Sequence, residues 1–337
     1  MTDKVRWGIL GVASIATRRV IPAMQDCERG ELVAIASRDT IKAQKAAQQF
    51  SIPKAFGSYE ELLSDPNIEA VYIPLPNVLH EEWSVKAAEA GKHVLCEKPL
   101  TTTVASARRI IAARDRAGVK MSEAFMVRVH PRWLRVRALV RERRIGELRF
   151  LHTHLGYFTR DPDNIRNKSG GGGALLDIGC YAITFARFIF GEEPSRVIGL
   201  IESDPEMKTD RLTSGILEFP SGQSTFTCST QLYYHSQVQI LGTEGRIEID
   251  VPLNPSTDAP SRILIDDGNY SQGAGIASET IPVCNQFTIQ ADLFSQAVRQ
   301  GGDVAVPLED SLANIAAMEG IFRSADSGKW ESPFEIN

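Results

Sequence analysis

The chain has 337 residues, enough for two domains of roughly 150 residues each, and its 43% hydrophobic and 23% charged composition excludes a disordered polypeptide. Its 37 basic and 42 acidic side chains leave a net charge of −5, which argues against nucleic acid or another polyanion as the main partner. No apolar run approaches the roughly 20 residues that cross a bilayer, and five scattered cysteines without a C-x-x-C pair are expected to be reduced, mostly buried thiols rather than disulfides or zinc ligands.

In chain order, the N-terminus enters strand-like sequence at Val5 without a basic stretch and a long apolar region, so a cytoplasmic location is the expectation. Short apolar runs then alternate with helical patterns. Strands are predicted at Val5–Leu10, 32–37, Ala70–Ile73, His93–Cys96 and 119–121. Between them a capping box, Ser58-Tyr59-Glu60-Glu61, opens one helix, and Gly91 and Gly118 close two others. The pattern is that of a doubly wound, nucleotide-binding parallel sheet covering residues 1–123. From residue 124 the period changes. Strands are expected at 148–157, 196–202, 212–219, 224–231, 237–241 and 246–251, with turn signals that make neighbours antiparallel. A long helix at 174–190 interrupts them, and helices near 285–300 and 308–324 end the chain. Residues 124–337 therefore read as an α+β domain with one large, mainly antiparallel open sheet, and the chain as α/β overall.

The first strand runs into Gly11-Val12-Ala13-Ser14-Ile15-Ala16, a degenerate G-x-G-x-x-G/A fingerprint. Small residues are needed there because the backbone turns sharply and approaches a pyrophosphate on the following helix. About 20 residues on, where an acid would take the ribose hydroxyls of NAD, the chain reads Ser37-Arg38-Asp39. A hydroxyl followed by a guanidinium suits a 2′-phosphate, so NADP is favoured over NAD, unless Asp39 is the ribose ligand and Arg38 a solvated loop residue. Ser14, Ile15 and Lys42 complete the expected cofactor contacts on these two loops. Strand His93–Cys96 ends in Glu97-Lys98-Pro99, at the sheet end where ligands bind. Lys98 there could bond a substrate hydroxyl and lower the pKa of a neighbouring acid, although most lysines are simply solvated.

The 174–190 helix is apolar nearly all round and should be buried. Asp177, Tyr181, Thr184 and Arg187 fall at i, i+4, i+7 and i+10, one polar stripe on an apolar cylinder. Such a stripe faces a ligand cavity or forms an internal Asp177–Arg187 brace with Tyr181 as a core phenol. Seven arginines between Arg128 and Arg144 could suggest a nucleic-acid patch, but the Trp133, Val136 and Val140 spacing marks an ordinary docked helix. His152 and His154 share one strand face without a third ligand nearby, so no metal site is read.

Trp7-Gly8-Ile9-Leu10-Gly11, Tyr72-Ile73-Pro74-Leu75-Pro76-Asn77-x-x-His80, Glu97-Lys98-Pro99, Asn164-Ile165-Arg166 and Gly171-Gly172-Gly173-Ala174-Leu175-Leu176-Asp177-Ile178-Gly179-Cys180-Tyr181 together resemble the Gfo/Idh/MocA oxidoreductase family over essentially the whole chain. The chain is most similar to the branch of NADP-dependent dimeric dihydrodiol dehydrogenases, D-xylose dehydrogenases and glucose-fructose oxidoreductase. Most other members carry histidine where this chain has Tyr181. The resemblance implies that Lys98, Asp177 and Tyr181 form the catalytic group. It also implies that Pro74, Leu75, Asn77, His80 and Glu97 lie near the nicotinamide ribose, and that the open face of the second sheet makes a homodimer or higher assembly.

The expected activity is reversible hydride transfer between nicotinamide and a hydroxyl-bearing carbon, with no metal needed. Arg128, His130, Asn164 and Arg166 offer the hydroxyl donors and acceptors of a sugar or polyol site, which favours an aldose such as D-xylose or D-glucose oxidised at C1 to the lactone. A trans-dihydrodiol would instead need apolar contact with Phe158 or Tyr157, and a sugar-ketone reductase is a further alternative. A non-catalytic NADP-sensing regulator is the competitor from another class. Retention of both Lys98 and Tyr181 speaks against it.

Overall fold

β1 (Val5–Leu10) is buried along almost its whole length, as a central parallel strand covered on both faces must be. The computed structural model describes residues 4–268 and 275–333. In it β2 (Gly30–Ala36), β3 (Lys54–Phe56), β4 (Ala70–Ile73), β5 (His93–Cys96) and β6 (Met121–Glu123) join β1 in a parallel sheet of order β3-β2-β1-β4-β5-β6. The strand order reverses between β1 and β4, which opens a crevice at the carboxyl ends of the strands. A π-turn, Ala16–Val20, leads into α1 (Ile21–Gln25), and α2 (Thr40–Gln49), α3 (Tyr59–Ser64), α4 (His80–Glu89) and α5 (Val104–Ala117) make the other crossovers. Half of the expected capping box is present: Ser58 Oγ accepts from Glu61 N at 3.1 Å, while Glu61 Oε2 accepts from Gly57 N at 3.2 Å, one residue before the cap.

The second sheet has eight strands in the order β14-β13-β12-β11-β7-β10-β9-β8. They are β7 (Leu148–Phe158), β8 (Arg196–Ser203), β9 (Asp210–Phe219), β10 (Gly222–Ser229), β11 (Gln231–Gly242), β12 (Arg246–Asp250), β13 (Ser261–Asp266) and β14 (Ile276–Ile281). Neighbours are antiparallel except β7 and β10, which run parallel. One face turns Leu151, Leu155, Phe226, Cys228, Val238 and Ile240 inward; the other carries His152, His154, Thr225 and Thr227. α6 (Pro131–Arg141) and α7 (Cys180–Phe190) contribute Trp133 and Phe185, which stack at 4.0 Å between ring centroids. Three of the four arginines of α6 are engaged internally: Arg132 donates to the carbonyls of Asp250 and Val251, Arg135 pairs with Glu279 and Arg137 lies over Phe188. Four cysteines are buried, Cys284 is partly exposed, and all five are free thiols.

The chain forms two compact units, Met1–Val129 with Asn285–Leu312, and His130–Cys284 with Ala313–Asn337. The return of α8 (Gln286–Gln300) to the first unit has a local cause: Trp7 Nε1 donates to Ser295 Oγ at 3.0 Å, and Phe294 lies 5.3 Å from the Trp7 ring. α9 (Leu308–Ser327) begins in the first unit and ends in the second. β3, β13 and β14 escaped the sequence reading. β3 has three residues, and β14, Ile-Ala-Ser-Glu-Thr-Ile, is exposed along most of its length and so lacks an apolar face. No helix among the described residues is long and apolar enough to cross a membrane.

Candidate functional site

In the first unit the fingerprint loop follows β1. Gly11 adopts φ +114°, and a Cβ there would lie 3.0 Å from Leu75 Cδ2. Only glycine meets both conditions, and its bare backbone leaves room for a phosphate. Ala16 is fully buried, Ala13 and Ile15 are half-buried, and Ser14 is exposed at the start of the helical turn. At the end of β2, Ser37 Oγ accepts from Asp39 N at 3.2 Å, and Asp39 Oδ1 accepts from Lys42 N at 3.1 Å as the cap of α2. The acid that could have served a ribose is therefore spent on a helix terminus. Arg38 and Lys42 are exposed beside it.

Pro74 and Leu75 are buried at the end of β4, and Asn77 opens a short 3₁₀ turn, half-buried. Glu97 follows β5 and is held by Tyr72, whose hydroxyl donates to Oε1 at 2.5 Å, and by the Lys98 N–H at 3.2 Å from Oε2. Lys98 is half-buried, next to a cis bond to Pro99. His80 is fully buried, its ring nitrogens 2.8 Å from Pro99 O and 2.7 Å from Leu75 O, and burial pushes its pKa down. Its place is that of a strap between the loops after β4 and β5. Arg128, expected at the substrate, pairs with Asp310 at 2.7 Å within this unit.

In the second unit the helix predicted at 174–190 starts with a π-turn, Leu175–Gly179, a winding often found at functional positions, and continues as α7. Its polar stripe is not an Asp177–Arg187 brace. Arg187 pairs with Glu193 at 2.6 Å, and Thr184 bonds Asn314 at 3.1 Å. Asp177 Oδ2 instead receives the Tyr157 hydroxyl at 2.5 Å and Arg166 Nε at 3.0 Å. Burial and the Asp177 charge push the Tyr157 phenol far up, so it stays a neutral donor, while Asp177 raises the Arg166 guanidinium further. Tyr181, one turn beyond Asp177, is 5% exposed, with Phe185 at 6.3 Å between ring centroids.

The start of this helix is gripped by Asp210 of β9. Its Oδ2 accepts from Leu175 N at 2.7 Å and from Thr213 Oγ1 at 2.8 Å, and burial raises its carboxyl to about 6. Gly173, at φ +110°, makes this possible, because a Cβ there would lie 1.8 Å from Asp210 Oδ1.

Two other expected substrate residues are spent on structure. His130 is 2% exposed and caps α6 by accepting from Arg132 N at 3.0 Å, with Cys284 Sγ 3.6 Å from its other nitrogen; burial lowers its pKa to about 4. Asn164 accepts from Arg166 N at 3.1 Å and so orders the turn that presents Arg166. Phe158 ends β7 two-thirds exposed. His152 bonds Thr225 and His154 lies against His235, and the described residues hold no group of three metal-ligating side chains. Asp210 and the pairing of Tyr157 with Asp177 were not read from sequence.

Residues 5–125 match the model of the oxidoreductase family with an NAD-binding Rossmann fold, and residues 133–248 match the Gfo/Idh/MocA C-terminal domain. The chain belongs to the Gfo/Idh/MocA oxidoreductase family. Within that family it is 46% identical to an uncharacterized oxidoreductase of Rhizobium meliloti, over 98% of this chain and 99% of the relative. It is 36% identical to a D-xylose 1-dehydrogenase (NADP(+)) of Haloferax volcanii, over 96% and 98%. Among solved structures, the 3-ketoreductase KijD10 of Actinomadura kijaniata in complex with NADP and TDP-benzene matches at TM-score 0.89 and 30% identity, covering 95% of this chain and 98% of that one.

Proposed function

We propose that this Gfo/Idh/MocA protein is an NADP-dependent dehydrogenase that moves a hydride between the nicotinamide and a hydroxyl-bearing carbon of a sugar or related polyol, an aldose oxidised at C1 to its lactone being the leading case. The first unit binds the cofactor through the Gly11 loop, Ser37, Arg38 and the segments around Asn77 and Glu97; the second unit presents the groups that handle substrate. The observation that carries the reading is Asp177, a carboxylate held between a phenol and a guanidinium one helical turn before Tyr181. The names of the xylose dehydrogenase and the ketoreductase support a sugar and NADP.

NADP, when bound, accepts or returns the hydride. Oxidation also needs a base for the hydroxyl proton, and a phenol with an ordinary pKa of about 10 is a poor one near neutrality. Lys98 and Tyr181 are proposed to act as one acid–base pair in which the ammonium stabilises the phenolate. The hydroxyl proton passes to Tyr181, the hydride leaves the same carbon, and a carbonyl remains. Asp177 would by its charge oppose the phenolate; Arg166, paired with it, offsets that charge and leaves Asp177 to orient a substrate hydroxyl.

The sugar assignment now stands on fewer groups than the sequence suggested, since His130 and Asn164 serve as caps and Arg128 pairs with Asp310. Arg166, Asp177 and Tyr157 remain as polar groups suited to hydroxyls. The test follows reduced-nicotinamide absorbance with NADP and D-xylose, D-glucose, their deoxy analogues and a trans-dihydrodiol. Turnover of an aldose with loss on deoxygenation is expected. A dihydrodiol turned over well without any aldose would overturn the sugar assignment alone, and cofactor binding without any turnover would point to a sensor. A homodimer or higher assembly through the uncovered face of the eight-stranded sheet is also proposed, to be checked by light scattering.

A further inference from the structure

Gly173 is the junction from which the Asp177 site is built. Its N–H donates to the Arg166 carbonyl at 2.7 Å, and its own carbonyl accepts from the Asp177 N–H at 3.0 Å. The backbone of one residue therefore sets both members of the Arg166–Asp177 pair. Ala174, the N-cap of the π-turn that follows, supplies no side-chain cap. The acceptor comes instead from β9, where buried Asp210 takes the Leu175 N–H on Oδ2 at 2.7 Å, and Thr213 Oγ1 donates to the same oxygen at 2.8 Å. Oδ1 of Asp210 occupies the space that a Gly173 side chain would fill. The turn is seated a second time where Gly179 passes over Cys228, since a Cβ on Gly179 would stand 2.9 Å from Sγ. Both seats belong to one row of the sheet. Thr213 of β9 faces Cys228 of β10, which faces Leu155 of β7, two residues before Tyr157. Tyr157 and Asp177, which meet at 2.5 Å, are thus referred to the same row.

We infer that Asp210 is a positioning residue for the proposed hydride transfer, holding the Gly173 turn so that Arg166 and Tyr157 converge on Asp177. The inference rests on the hydride-transfer reading above and adds to it a residue that acts through the backbone of Gly173 and Leu175. A helix start presents N–H groups that have no partner within the helix, and a carboxylate satisfies them with a charge-assisted bond. A cap from the residue before the helix would move with its own loop. A cap from β9 ties the turn to the sheet that also carries Tyr157. That frame matters because a displacement of about 1 Å in an orienting group can cost on the order of a hundredfold in rate. Burying a carboxyl is costly, and burial holds this one up at about 6. An amide oxygen would fill the same place at lower cost, but it would grip the N–H more weakly.

Steady-state kinetics of the full chain with NADP and the substrate turned over fastest in the panel above test this, beside a titration of each variant with NADP. Asp210→Asn should lower kcat by roughly tenfold to a hundredfold, with KM and NADP affinity changed by less than about threefold. Thr213→Val removes one of the two donors on Oδ2 and leaves the helix start untouched. It should show the same split in milder form, even if Asp210→Asn folds poorly. Glu193→Gln breaks the Arg187 pair at the far end of the same helix and should leave kcat near normal. In a Tyr157→Phe background the further loss from Asp210→Asn should be much smaller, because the contact that Asp210 aligns is already gone. Normal kcat in both Asp210→Asn and Thr213→Val, an equal loss in Glu193→Gln, or full additivity with Tyr157→Phe would overturn the inference and leave the hydride-transfer reading standing. A wild-type chain that binds NADP and turns over neither an aldose nor the dihydrodiol would overturn that reading, and the inference with it.

Discussion

Replacing Tyr157 by phenylalanine tests whether Asp177 acts as a held carboxylate. The substitution deletes one oxygen and keeps the ring, so what is lost is the O–H···O⁻ bond of 2.5 Å to Asp177 Oδ2. A hydrogen bond to a charged group contributes about 1.5 to 3 kcal/mol. If that contribution bears fully on the transition state, it amounts to roughly tenfold to a hundredfold in kcat/KM. Arg166 remains bonded to the same oxygen at 3.0 Å, but its side chain is 46% exposed, and a solvent-screened cation cannot replace a buried donor. The assay is steady-state turnover of the best sugar at saturating NADP, beside a fluorescence titration of NADP, which should change by less than about twofold because the proposed role of Tyr157 is toward the substrate hydroxyl through Asp177. The pH profile should keep its shape below about pH 9. Burial and the Asp177 charge raise the folded-state pKa of Tyr157, so its contribution is complete below the unfolded value of about 10 and is lost only as pH rises through the folded value. Asp177→Asn combined with Tyr157→Phe should cost less than the sum of the two. Unchanged kcat/KM in Tyr157→Phe, with a normal melting curve, would refute the held-carboxylate argument.

Tyr181→Phe should lower turnover by a factor on the order of 100 to 10,000 with NADP affinity nearly unchanged, and near-normal turnover would return Tyr181 to the role of a core phenol. Lys98→Met should also cripple turnover, with a double variant less than additive because the two groups act as a unit. Asp210→Asn leaves an amide donor facing a helix N-terminus and should cost about 1 to 3 kcal/mol in urea unfolding at neutral pH. Its pH dependence has a definite sign: the Asp210 carboxyl titrates at about 6 in the folded chain, above the unfolded value of about 3.9, so the folded state holds the extra proton between these values. Stability from this group is lost as pH rises through about 6, and the variant should lack that slope. Gly173→Ala would set a methyl 1.8 Å from Asp210 Oδ1 at φ +110°, and circular dichroism melts should show a larger loss than for Asp210→Asn.

The sequence by itself determined the parallel sheet, the fingerprint loop, the Ser37-Arg38 pair and the polar stripe of the 174–190 helix, because each rests on spacing within one element or across one turn. A buried parallel strand must be apolar throughout, and a helix that is apolar nearly all round makes its few polar residues conspicuous. Even so, local spacing misled at Arg187, which lies on the stripe of Asp177 but pairs with Glu193. Nor could it show that His80 and His130 are buried, the one bonded to the carbonyls of Leu75 and Pro99 and the other capping a helix. Only tertiary structure decided which partners the charged and phenolic groups take: Tyr157 and Arg166 on Asp177, Asp210 on the Leu175 N–H. It decided as well that Asn285–Leu312 joins the first unit through Trp7 and Ser295. The physical reason is the same in each case. A hydrogen bond or ion pair between residues 11 to 288 positions apart depends on how strands and helices are laid beside one another, and the desolvation that shifts a pKa depends on everything packed around the group, neither of which a local pattern records.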